Sequence, residues 1–99
     1  MRIIAFRALR EFFEKPEYAD SEASLRAWYH DAKTAEWKSS NDLKQQYKNA
    51  SIVGEGRFVF NIKGNTYRLV VATDYDFQVI FIRFIGTHKQ YDKIDPKKI

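Results

Sequence analysis

From residue 57 onward, apolar and polar side chains alternate with a period of two. Residues 57–62, 67–73 and 77–85 each read as a strand, with Gly64-Asn65 and Asp74-Tyr75-Asp76 as turns. Upstream the period is helical. Phe6, Leu9, Phe12 and Phe13 form one stripe, and Pro16 ends it because proline has no amide hydrogen to continue the ladder. Asp20 or Ser21 is the expected N-cap of a second helix whose stripe is Leu25, Trp28, Tyr29 and Ala32. Ser39-Ser40-Asn41-Asp42 offers a further cap, ahead of one or two turns over residues 43–47. Short strands are expected at residues 2–5 and, at a sheet edge, at Ile52-Val53. The pattern predicts an α+β fold: a small antiparallel sheet with two N-terminal helices packed on one face.

Alternation also assigns the faces. A two-residue loop at Gly64-Asn65 places Ile62 opposite Tyr67, Asn61 opposite Arg68 and Phe60 opposite Leu69. A loop centred on Tyr75-Asp76 places Arg68 opposite Arg83 and Leu69 opposite Ile82. The helix side then holds Phe58, Phe60, Ile62, Tyr67, Leu69, Val71, Ile80, Ile82 and Phe84. The other side holds Arg57, Val59, Asn61, Lys63, Arg68, Val70, Phe81, Arg83 and Ile85, with Asn61, Arg68 and Arg83 in one row. Two neighbouring cations repel each other. A bound phosphate would relieve that repulsion through bidentate contacts. In the plainer alternative both arginines reach into solvent or pair with Asp74, Asp92 or the C-terminus.

Ninety-nine residues make one domain, 1–99, whose last residues, 93–99, are expected to fray. Eight Phe, six Tyr and two Trp supply large buried area per residue, which a chain this short needs. No cysteine is present, so disulfides and thiolate metal sites are excluded. The apolar start is too short for a signal peptide and nothing approaches a membrane span, so the expectation is a soluble, cytoplasmic protein with no membrane partner. The net charge of +4 is unevenly placed. Residues 1–56 hold nine basic and nine acidic side chains, and residues 57–99 hold eight and four. A basic half beside a neutral one suggests a polyanion face, although a modest positive charge is common in small domains.

The strand that carries Arg83 stops at Gly86, and Thr87, His88, Lys89, Tyr91 and Asp92 follow within six residues. This group suits metal-independent RNA cleavage. The substrate's own 2′-hydroxyl attacks phosphorus, so the protein must move two protons and stabilise a dianionic phosphorane. His88 and Tyr91 are the candidate acid and base, and Arg68 and Arg83 the candidate oxyanion holders. Arg57, Asn61, Lys63 and Lys89 are candidate RNA-binding residues. Taken singly, each has an ordinary surface role: His30 is read so, and Asp92 is a possible N-cap for residues 93–95. No metal or cofactor site is expected.

Residues 59–70 (Val59-Phe60-Asn61-Ile62-Lys63-Gly64-Asn65-Thr66-Tyr67-Arg68-Leu69-Val70), then Ile82-Arg83-Phe84-Ile85-Gly86-Thr87-His88 and Tyr91-Asp92, resemble the HigB toxins of type II toxin–antitoxin systems. Leu9-Arg10-Glu11-Phe12 and Ala27-Trp28-Tyr29 extend the resemblance over nearly the whole chain. It implies the RelE-like toxin fold and an mRNA interferase that cuts messenger RNA on the ribosome without metal. It also implies a HigA-type helix-turn-helix antitoxin, with operator DNA reached only through the complex. By the same resemblance Arg68 matches the arginine after the hairpin tyrosine, His88 a basic or imidazole position, and Tyr91 a terminal aromatic; Lys89 rests on charge alone. The alternative is a non-catalytic toxin or binding module of the same fold, such as a gyrase poison or an RNA-binding domain.

Overall fold

The computed structural model describes residues 1–99. Strand β1 (Arg2–Ile4) leads into helix α1 (Phe6–Phe13), a 3-10 turn (Pro16–Ser21), α2 (Glu22–Thr34) and α3 (Ser40–Gln46). Strands β2 (Ser51–Gly54), β3 (Arg57–Ile62), β4 (Tyr67–Asp74) and β5 (Val79–Thr87) follow, and α4 (His88–Tyr91) leaves β5 directly. The sheet order is β1-β5-β4-β3-β2. Only the β1–β5 pair is parallel; the others are antiparallel. No helix is long and apolar enough to cross a membrane.

The predicted stripes meet in one core on the helix side. Leu9, Phe12 and Phe13 of α1, Leu25, Trp28 and Ala32 of α2 and Leu43 of α3 pack over Phe58, Phe60, Leu69, Val71 and Ile80 of the sheet. Ser39 caps α3, its hydroxyl accepting from the amide of Asp42. The cap expected for α2 does not form. The Ser21 hydroxyl instead donates to the Tyr18 carbonyl, and Asp20 turns away to the sheet. There its carboxylate accepts from the Lys63 ammonium at 2.6 Å and from the Tyr67 phenol. The ammonium first, and then the phenol, hold the Asp20 carboxyl below its ordinary range. The same bond, with burial second, pushes the Tyr67 phenol up to about 12.

The sign of that linkage is fixed. A carboxyl whose folded value is depressed stabilises the fold above about pH 4 and loses that contribution as pH falls through the lower folded value. Asp20→Asn is therefore expected to reduce stability at pH 7 and leave it nearly unchanged at pH 2. Urea titrations of both proteins at the two pH values measure this directly.

The first hairpin has the expected register: Ile62 faces Tyr67, Asn61 faces Arg68 and Phe60 faces Leu69. The second does not. Asp74 pairs with Val79, so its loop is two residues longer than the one centred on Tyr75-Asp76. A shift by two keeps every side chain on its face, and Ile80 and Ile82 remain on the helix side. A β-bulge at Arg83 then adds one residue, so Val70 faces Phe84, Leu69 faces Ile85 and Arg68 faces Gly86. The bulge exchanges two predicted positions: Ile85 packs on the core and Phe84 lies on the outer face.

Residues beyond α4 return across that outer face. Arg57 donates through Nη1 to the main-chain oxygens of Pro96 and Ile99, and Lys97 lies beside Gly54 of β2. Val59 and Val70 are 4% and 0% exposed although they stand outside the helix-side core. The Asn61–Arg68 end of the face stays open.

Candidate active site

The open end is built where β5 passes into α4. Thr87 is the N-cap in a capping box: its hydroxyl accepts from the Gln90 amide, and the Gln90 side chain accepts from the Thr87 amide. Gly86 is required here for space. A Cβ at that position would stand 2.6 Å from both the Gln90 Oε1 and the Phe84 ring. Gly86→Ala is accordingly expected to keep the fold but open the capping box and displace His88. A ten-fold or greater loss of activity with an unchanged circular dichroism spectrum is the expected result.

The cap aims His88 at Arg68, which faces Gly86 across the strands, two residues before His88. Arg68 Nη2 lies 3.3 Å from His88 Nδ1, and its Nη1 donates to the Asn65 carbonyl at 3.0 Å. A guanidinium only donates, so Nδ1 is the acceptor and the imidazole proton sits on Nε2. That nitrogen faces the Asp92 carboxylate at 3.4 Å. Guanidinium, imidazole and carboxylate form a chain in which both ring nitrogens have assigned roles. The His88 side chain remains 55% exposed, so a substrate can reach it. Tyr91 is on the same face of α4, three residues on, with its ring 6.4 Å from that of Phe84.

The other predicted residues are distributed differently. Asn61 is exposed and directly opposite Arg68 on β3, as expected. Arg83 is not beside Arg68, and the predicted row of Asn61, Arg68 and Arg83 reads Asn61, Arg68, Gly86. The reason is the bulge together with the longer loop. The Arg83 guanidinium lies 5.2 Å from the Phe81 ring, about 10 Å along β5 from the position opposite Arg68. Arg57 is occupied by the returning segment and Lys63 by Asp20. Lys89 is exposed on α4. Asp92 does not cap a further helix; it ends α4 and pairs with His88. The signal for that role was present in the sequence, since His88 and Asp92 are four residues apart and a helix brings such a pair together.

No three His, Cys, Asp or Glu side chains converge where they could hold a metal ion. The chemistry available at this end of the sheet is cationic binding by Arg68 and proton exchange at His88, with Tyr91 about one helical turn further along α4. Comparison with known proteins places the chain in a family. A protein-family model described as HigB_toxin, RelE-like toxic component of a toxin–antitoxin system, matches residues 21–94. The mRNA interferase toxin HigB of Escherichia coli (strain K12) is 29% identical over 94 residues, covering 93% of this chain and 88% of the relative. The mRNA interferases HigB of Escherichia coli O157:H7 and Shigella flexneri match at the same identity and coverage. The family match spans most of the sheet and α4, and with it Arg68, His88 and Tyr91. The chain belongs to the HigB toxin family, the RelE-like toxic component of toxin–antitoxin systems.

Proposed function

We propose that this toxin is a metal-independent endoribonuclease that cuts messenger RNA on the translating ribosome and is neutralised by a HigA-type antitoxin. The observation that carries the reading is the 3.3 Å contact of Arg68 Nη2 with His88 Nδ1 on an open sheet face. The names of the relatives, mRNA interferases, support it. A phosphodiester seated at this contact would take the Arg68 guanidinium on its non-bridging oxygens. His88 Nδ1, unprotonated in the resting pair, would accept the 2′-hydroxyl proton as oxygen attacks phosphorus. The bond from phosphorus to the 5′ oxygen breaks, and that oxygen takes a proton from Tyr91. The products are a 2′,3′-cyclic phosphate and a 5′-hydroxyl. Asp92 holds the imidazole in the required tautomer and is a positioning residue.

The test is to incubate the protein with a message, with and without translating ribosomes, and to map and end-label the fragments. Internal cuts with 5′-hydroxyl ends, dependent on ribosomes and unaffected by a chelator, are expected. Intact message under both conditions, with growth arrest on expression, would turn the reading toward a non-catalytic toxin.

A further inference from the structure

Among the cavities outside the site just described, one borders the hairpin that carries Arg68. It has a volume of about 650 Å³ and opens between α2, the residues that follow α3, and the tip of the β3–β4 hairpin. Strand β2 covers β3 only as far as Val59, so the edge of β3 at Phe60, Asn61 and Ile62 borders this cavity. Its floor is aromatic. Trp28 and Phe60 are edge to face at 5.4 Å, and Trp28 is 3% exposed. The Trp28 indole N–H is the single buried side-chain polar atom without a hydrogen-bond partner. Its rim is polar. The carboxamides of Asn49, Asn61 and Asn65 and the Lys48 ammonium bond to no other part of the protein. The one carboxylate at the cavity, Asp31, accepts from the Tyr47 phenol at 3.3 Å.

We propose that this cavity is a nucleotide subsite, holding a base of the RNA strand adjacent to the scissile phosphate. The inference rests on the reading of the chain as an RNA-cleaving toxin. Two residues join the cavity to the scission centre: Asn61 is the cross-strand partner of Arg68, and the Asn65 carbonyl accepts from the Arg68 guanidinium. A strand whose phosphate sits on Arg68 therefore meets the rim within one strand spacing, about 5 Å. Side-chain amides offer a donor and an acceptor side by side, the pattern that reads base edges, and a lysine at the lip suits the next phosphate. An extended peptide would share the open strand edge, but it gives no reason for the cavity to adjoin a phosphate-binding arginine.

The experiment uses a short oligoribonucleotide with 2′-O-methyl sugars, which cannot be cut, added to the 15N-labelled protein. The two indole N–H signals are separated by a Trp37→Phe variant. The Trp28 indole signal and the Asn49 and Asn61 side-chain signals are expected to move together. Asn49→Ala should weaken binding about tenfold for the preferred sequence and flatten the differences between sequences. Arg68→Ala should weaken all sequences alike. Cavity signals that stay still while wild type cuts messages would overturn the subsite and leave the cleavage reading intact. Cavity signals that move while no message is cut would make the cavity a plain RNA-binding site and overturn the cleavage reading together with its place beside a scissile phosphate. Signals that respond only to added antitoxin would make the cavity a protein-docking surface and overturn the subsite.

Discussion

Replacing Arg68 with alanine is expected to lower the rate of message cleavage by about 10²–10³-fold while the protein stays folded. The guanidinium has two functions at one point. It supplies the positive charge that a phosphorane needs, and its Nη2 fixes which imidazole nitrogen is unprotonated. His88→Ala removes the proton acceptor and should cost about 10²–10⁴-fold. Asp92→Asn leaves the acceptor in place but weakens the preference for its tautomer. Its loss should therefore be smaller and appear in the rate at saturating ribosomes rather than in binding. Arg83→Ala, about 10 Å along β5, should cut at close to the wild-type rate. Single-turnover cleavage of one defined message by the four variants measures the order. Equal rates for Arg68→Ala and Arg83→Ala would show that the bulge has not separated two residues of different function.

The second large effect is on stability. Phe58 is fully buried between the helices and the sheet, in the strand that carries Asn61. Phe58→Ala removes a ring from a close-packed site and should cost about 3–5 kcal/mol. Domains of this size have about 5–15 kcal/mol in total, so the variant should be largely unfolded at modest urea. Urea denaturation followed by tryptophan fluorescence gives the number. The exposed Phe77, 80% accessible at the second hairpin, is the contrast: its replacement by serine should change stability by less than about 0.5 kcal/mol.

Much of this fold is legible in the sequence. Period-two alternation located β3, β4 and β5, and Gly64-Asn65 set the register that puts Asn61 across from Arg68. Helical periodicity found the stripes of α1 and α2 that cover the sheet. The failures have one physical origin, which is that local pattern does not count residues in loops and bulges. A bulge at Arg83 leaves alternation intact on either side, so the sequence could not distinguish Arg83 from Gly86 as the neighbour of Arg68. The partners of single cations were equally hidden. Lys63 reads as a free surface charge, but a carboxylate 43 positions earlier holds it. Arg57 reads as part of an RNA face, but the chain beyond α4 returns to occupy it. His88 was found because strand, glycine and cap residue occur in immediate succession. The pairing of Asp92 with His88 is harder to read from the sequence, because it depends on α4 beginning at His88 itself and ending at Asp92.

The most direct measurement is a double-mutant cycle on Arg68 and His88, read as the single-turnover cleavage rate of a ribosome-bound message. If the 3.3 Å contact is the scission centre, the two residues act as a unit. The double variant should then be no more than about tenfold slower than the worse single variant. Losses that multiply, or single variants that cut as fast as wild type, would contradict it.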